Sequence, residues 1–299
     1  MIDVFEYTHP RLILTDCRIF IRDEAFRNAY NVCRAYIPPL PLELFRQTPH
    51  IRNQQLAVEI HLEYLLNGLV DNVRILERRL LEVILLHRLK WFYEREDQRK
   101  NEFQRAVIVM GGMMQQRLTL LLLEMSPQQA ARLYGLGKFP NVIEYGWKVE
   151  LLGAAAAARA IQTFYEIDPL IVRLPTLFED IDCGIDLFVD VSPTLLLAVS
   201  VKSNGDRSSM LAEVQWTPPQ MSDQSMDAIQ RRAIIQGVQR LNFHLNRQVL
   251  PVRVVVGRRN RSTLEFVCVE EDISTVQRMI LQLLDTLENE NAINTRRMA

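Results

Sequence analysis

Residues 178–204, FEDIDCGIDLFVDVSPTLLLAVSVKSN, hold two apolar runs separated by Ser192-Pro193-Thr194, a turn signal of hairpin length. With those three residues as the loop, Val191 stands opposite Leu195, and counting back along both strands sets Asp186 opposite Ser200. Side chains alternate with period two, so Lys202 falls on the same face, two positions further on. The other face, with Ile185, Leu187, Val189, Leu197, Val199 and Val201, is uniformly apolar. The expectation is a hairpin with one core face and one face bearing Asp186, Ser200 and Lys202 beside Phe188 and Ala198. An Asp and a Lys brought together next to a core need a reason, because burying either charge unpaired is costly. Phosphodiester hydrolysis supplies one: a carboxylate holds a divalent metal that lowers the pKa of a bound water, while a nearby Lys orients that water or stabilises the oxyanion. An ion pair at a sheet edge with no catalytic role is the alternative, and hairpin geometry alone leaves both open.

The chain has 299 residues, enough for two domains of ordinary size. Apolar residues make up 48% and charged residues 24%, a balance that builds a core and excludes wholesale disorder. The formal net charge of −1 gives no global positive field, so any nucleic-acid contact must come from local patches. Its basic residues are mostly Arg, suited to planar, bidentate contacts with phosphate or carboxylate. The four cysteines, Cys17, Cys33, Cys183 and Cys268, form no CxxC pair and have no His at zinc-ligand spacing, so they read as reduced, mostly buried thiols. The N-terminus shows no basic stretch followed by an apolar one, and no uninterrupted apolar run nears the ~20 residues of a membrane span. A cytoplasmic protein without a membrane segment is expected.

Ahead of the hairpin the texture is helical. A short strand is expected at Arg11–Leu14 and a helix around Ala25–Ala35, before the Pro38-Pro39-Leu40-Pro41 break. From Arg52 to Glu96, Leu56, Ile60, Leu69, Val73, Leu76, Leu80, Val83 and Leu86 recur at three- and four-residue steps, as in one long helix or two broken near Gly68. The charged and aromatic stretch from His87 to Lys100 reads as a solvated helix face, with a nucleic-acid contact as the alternative. Gly111-Gly112 marks a break, and a helix resumes over Arg117–Glu124. Ser126-Pro127-Gln128-Gln129 supplies an N-cap Ser, Pro at the first helical position and Gln three residues after the cap. YGLGKFP, residues 134–140, closes that helix; lacking the earlier glycine and a Ser or Thr after Lys138, it is not a P-loop.

After this boundary a cap at Asn141–Glu144 should open a helix rich in small residues from Gly153 to Ala158, able to lie close against a sheet. Strands are expected at Leu170–Leu174, Ile185–Val191, Leu195–Lys202, Val252–Val256 and Leu264–Val269, with a helix near Met226–Asn246 and a frayed tail from Glu288 to Ala299. The domains implied are a mainly helical one over 1–140, an α/β one over 141–275, and a C-terminal helix and tail over 276–299.

Gly184-Ile185-Asp186, then a hairpin, then Val199-Ser200-Val201-Lys202 resembles the PD-(D/E)xK nuclease superfamily, which includes many restriction endonucleases and Holliday-junction resolvases. That family carries an acidic residue on a helix before the sheet, an Asp in the second strand and an (E/D/Q)xK in the third. Glu150 matches the helix acid, with Glu144 as an alternative, and the later helix and strand fall where the family's core continues. The likeness covers roughly residues 141–270 and says nothing about residues 1–140. It implies a restriction-endonuclease-like α/β (α+β) fold, a mixed sheet flanked by helices. It further implies a Mg²⁺- or Mn²⁺-dependent endonuclease acting on DNA, with Asp186, Glu150 and the Val201 carbonyl on the metal and Lys202 at the reacting water. One position departs: Ser200 stands where Glu, Asp or Gln belongs, and Ser is a poor metal ligand. Either the remaining ligands suffice, or Glu179, Asp180, Asp182 or Glu213 substitutes, or the module is catalytically silent and serves binding or assembly.

Other residues carry less. Glu179, Asp180 and Asp182 read as a solvated acidic loop, with groups that support the site from behind its ligands as the alternative. Arg253, Arg258, Arg259 and Arg261 make a basic patch suited to a nucleic-acid phosphate, or a solvated hairpin tip, with Arg231, Arg232, Arg240 and Arg247 able to extend it. The five histidines show no metal or triad spacing. The leucine-rich helices before residue 125 are apolar enough to serve a homodimer or protein-partner interface, and burial within their own domain explains them equally well.

Overall fold

Helical periodicity in the first half of the chain and strand alternation in the second both take shape in a computed structural model. It describes residues 22–41, 43, 50–69, 75–100, 104–136, 146–204, 209–215, 217–242, 247–257 and 270–298. Among the described residues there are nine helices and one five-stranded mixed sheet, so the protein is α/β and mostly helical. Two compact units share the chain: residues 1–158, 175–182 and 262–266 form the first, and 159–174, 183–261 and 267–299 the second. The division falls inside a helix, between Ala158 and Arg159, where the sequence suggests a boundary after residue 140. The expected strand at Arg11–Leu14, the cap at Asn141–Glu144 and the strand at Leu264–Val269 lie outside the described residues.

The first unit holds α1 (Asp23–Arg34), α2 (Ile51–Leu69), α3 (Ile75–Lys100), α4 (Gln104–Glu124) and α5 (Pro127–Leu136). It also takes the first part of α6 (Trp147–Tyr165) and nearly all of α7 (Leu177–Cys183). Leu80, Leu81, Ile84, Leu85 and Leu86 of α3 join Val109, Met110, Met114, Leu118 and Leu121 of α4 in one core, each fully buried. Burial on this scale contributes about 1.5–3 kcal/mol per large aliphatic side chain. The stretch from His87, expected to be a solvated face, has a buried side as well: His87, Leu89 and Tyr93 are buried while Phe92 stays exposed, because the same three- and four-residue stripe continues inward. The Tyr93 hydroxyl donates to the Leu40 carbonyl, which ties the proline-rich segment to α3.

Nor do Gly111 and Gly112 break a helix, since α4 runs through both. A Cβ on Gly112 would lie 2.8 Å from Leu177 Cδ1 and 3.2 Å from Ile181, so the glycine there admits α7 rather than ending α4. By length and composition α4 could cross a membrane, yet half of its most apolar window is buried inside the protein and most of its apolar residues belong to the core. The capping box forms as expected: Gln129 N–H donates to Ser126 Oγ at 3.3 Å, and Ser126 N–H to Gln129 Oε1 at 3.0 Å.

The second unit contains the rest of α6, β1 (Ile171–Arg173), β2 (Leu187–Ser192), β3 (Leu195–Asn204), β4 (Leu211–Val214), α8 (Met226–Asn242), β5 (Gln248–Gly257) and α9 (Glu270–Met298). Its sheet runs in the order β1-β2-β3-β5-β4. The first three strands form an antiparallel meander, β5 joins β3 in parallel, and β4 closes the edge antiparallel to β5. Phe188 and Ala198, expected on a polar face, are fully buried, because Ile234, Val238 and Leu241 of α8 cover them together with Leu196. The sheet is thus apolar on both faces along most of β3, as strands covered on both sides are. The tail expected to fray is helical: α9 continues to Met298, opening with Glu270, Glu271 and Asp272 at its positive end.

Arg159 of α6 and Asp272 of α9 form a buried ion pair. Its remaining polar atoms are also used, since Asp272 Oδ1 accepts from Met210 N–H at 2.8 Å and Arg159 Nη1 donates to the Gly257 carbonyl at 3.2 Å. Full satisfaction of this kind is what makes a buried charge pair tolerable.

Candidate active site

The hairpin register sets the site. Leu187 lies opposite Val199, Phe188 opposite Ala198 and Val189 opposite Leu197, the pairing expected from the sequence. At the tip it differs: Ser192 pairs with Leu195 and the ladder bulges between Asp190 and Ser192, leaving Pro193-Thr194 as the turn. Below the bulge the count is unaffected.

Asp186 sits one residue before β2. Gly184 ahead of it has φ +69°, a left-handed conformation that glycine adopts without a Cβ penalty, and Asp186 N–H donates to the Val199 carbonyl at 2.8 Å. The Asp186 side chain then folds over β3. Its Oδ2 accepts from Val201 N–H at 2.6 Å and Ser200 Oγ at 3.4 Å, and lies 3.7 Å from Lys202 Nζ. The Asp186 and Lys202 side chains keep 25% and 34% of their surface in solvent, so the pair is accessible; Ser200 beside them is buried.

Among the described residues, two oxygens at this spot come into question for a ligand. Asp186 Oδ1 receives no hydrogen bond from the described residues. The Val201 carbonyl follows from strand geometry: polar groups two residues apart point the same way, Val199 faces Asp186, and Val201 therefore presents its N–H and carbonyl to that side. Magnesium takes one or two carboxylates, keeps several waters and accepts substrate phosphates, and such a donor set suits that habit. No group of three or more His, Cys, Asp or Glu side chains that could cage a metal occurs among the described residues.

The remaining candidates are distributed as follows. Glu150, the implied helix acid, belongs to the first unit, where its Oε1 lies 2.9 Å from Lys90 Nζ. Burial there pulls the Lys90 ammonium down, but Glu150 and then Glu94 more than offset it, so its pKa stands above the ordinary lysine value. Glu179, Asp180 and Asp182 form a helix rather than a loop, and serve the first unit. Glu179 closes a capping box with Thr176, Asp180 accepts from Gln116 at 3.2 Å, and Asp182 lies 3.7 Å from Arg105.

Arg253 is not at a hairpin tip but within β5, directly opposite Ser200 on one side and Glu213 on the other. It pairs with Asp227 of α8, which also holds Arg231 at 2.8 Å, and Arg231 reaches Glu213 at 3.7 Å. Arg232 donates to the Gln220 carbonyl and Arg247 pairs with Asp190. Arg253, Arg231 and Arg247 are therefore each paired with a carboxylate, while Arg232 keeps its charge beside a neutral carbonyl. Arg258, Arg259 and Arg261 lie outside the described residues.

Sequence reasoning missed the polar row that continues from Asp186 through Ser200 and Arg253 to Glu213. The only sequence signal for it is the i,i+4 pair Asp227–Arg231. Compared with family models, with curated proteins and with solved structures, the chain matches none of them.

Proposed function

We propose that the second unit is a restriction-endonuclease-like core and that it hydrolyses phosphodiester bonds in DNA with Mg²⁺ or Mn²⁺ at Asp186 and the Val201 carbonyl. The observation that carries this reading is the convergence of Asp186 with Lys202, 3.7 Å apart, at the head of a hairpin. The order of elements supports the reading: helix α6, then β1, the short helix α7, β2 with Asp186 at its entrance, β3 with Lys202, the edge strand β4, helix α8 and the parallel strand β5.

The roles follow from the contacts. Val201 N–H and Ser200 Oγ both hold Asp186 Oδ2, which fixes the carboxylate and leaves Oδ1 for a cation. A bound divalent ion would lower the pKa of a coordinated water and offset charge on a phosphate. The Lys202 ammonium, a compact charge with three donors, can hold a water or a non-bridging phosphate oxygen beside that carboxylate. The cytoplasm suits such a protein, in which Cys33 is a buried free thiol.

Cleavage of a labelled oligonucleotide duplex tests the proposal: wild type cuts only with Mg²⁺ or Mn²⁺, and Asp186→Ala and Lys202→Ala abolish cutting while remaining folded. If both variants cut like wild type, the assignment is wrong. Ser200, buried where the family carries an acid, favours a second reading in which the module is silent and binds without cutting. In that case no preparation cuts, with either metal.

A further inference from the structure

We propose that Gly237, in the middle of α8, is a positioning residue that sets the aim of the Asp186 carboxylate; this rests on the reading that Asp186 carries the site. Glycine is unfavourable in a helix interior relative to alanine, so one retained there needs a packing reason. The reason is backbone of the segment leading into β2. A Cβ built on Gly237 would meet the Cys183 carbonyl oxygen first and lie 2.8 Å from both its carbonyl carbon and its Cα. Backbone atoms cannot swing aside as a side-chain end can, so any residue but glycine forces the Cys183 peptide and α8 apart.

That peptide is the base on which Asp186 stands. Gly184, at φ +69°, turns the chain immediately after it, and Asp186 follows two residues later. Around the notch, Ile234, Val238 and Leu241 of α8 pack with Cys183 and Ile185 in one buried cluster, so both residues flanking Gly184 rest on α8. On the other side the segment is gripped by β3, through Asp186 N–H to Val199 and Val201 N–H to Asp186 Oδ2. The carboxylate is thus held between two supports, and displacing the Cys183 peptide by even a fraction of an ångström must alter the 2.6 Å bond to Val201. Charge-assisted bonds of this length are sensitive to small changes in geometry.

The test reads that bond directly in the full chain. In an amide-resolved nuclear magnetic resonance spectrum the Val201 proton, bonded to a carboxylate, lies far downfield, and Asp186→Ala moves it well upfield. Gly237→Ala is expected to move it in the same direction, while Gly68→Ala, a helical glycine with open space around it, leaves it in place. A purely structural glycine would change the melting temperature without touching this signal. Val238→Ala loosens α8 beneath the same turn without adding an atom, and is expected to shift the signal as well, which keeps the test readable if Gly237→Ala does not fold. A folded Gly237→Ala or Val238→Ala protein with the Val201 amide at its wild-type position overturns the proposal. The measurement needs neither metal nor substrate, so a chain that never cuts DNA leaves this result standing on its own.

Discussion

Lys202 Nζ on β3 stands 3.7 Å from Oδ2 of Asp186, the residue that leads into β2, while the Val201 amide holds the same oxygen at 2.6 Å. The carboxylate therefore serves two partners of different standing. The ammonium is an accessible ion pair, and exposed pairs contribute about 0–1 kcal/mol. A backbone N–H left without an acceptor costs about 1–3 kcal/mol when buried. Urea denaturation should separate the two: Lys202→Met shifts the unfolding free energy by less than about 1 kcal/mol, whereas Asp186→Ala lowers it by about 1–3 kcal/mol. Equal losses would mean that Lys202, not Val201, anchors the carboxylate.

The Arg159–Asp272 pair behaves differently because both side chains are buried. Asp272→Ala leaves the guanidinium uncompensated and is expected to cost about 3–5 kcal/mol. Replacing both residues by apolar ones of similar size should recover most of that loss. Denaturation of the single and double variants checks this, and simple addition of the two single losses would contradict it.

Cys33 supplies a pH dependence. Burial drives its thiol pKa from 9.0 up to about 12, against a smaller opposing effect of the Arg88 guanidinium. The folded state thus holds this proton more tightly than the unfolded state. Its stabilising contribution is complete below pH 9 and is lost as pH rises toward 12. Stability measured across that range should fall less steeply for Cys33→Ala than for wild type. At pH 8 iodoacetamide should leave Cys33 unmodified until denaturant is added; rapid labelling of the native protein would contradict its burial.

His61 gives the opposite slope. Its Nε2 lies 3.2 Å from the Pro38 carbonyl, and burial lowers its pKa below the usual 6.5 despite that contact. The folded state resists protonation, so the stability it supports is present above pH 6.5 and is lost as pH falls through the lowered value. His61→Phe should flatten the acid side of the melting-temperature profile; an unchanged acid slope would show that His61 titrates freely.

How far the sequence could be read depended on whether a feature was local. The hairpin was legible because period-two alternation and a turn tripeptide define a register without reference to other elements, and the Asp186–Ser200–Lys202 face followed. The bulge beside Val191 was not, since a Pro193-Thr194 turn and a three-residue loop suit the same letters. Gly111-Gly112 reads as a break by intrinsic propensity, yet the need to admit Leu177 overrides that propensity. The short strand Leu211–Val214 carries too little pattern to stand out. Least legible were the partners of single charges. Lys90 beside Glu150, Asp227 beside Arg253, and the notch at Gly237 all join residues far apart in the chain.

Calorimetric titration with Mn²⁺ tests the central claim most directly. The expected result is a single site on the wild-type chain that disappears in Asp186→Ala and persists in Glu179→Ala. Wild-type protein that binds no Mn²⁺, or that binds it equally well with Asp186 replaced, would contradict a metal-dependent site at the head of this hairpin.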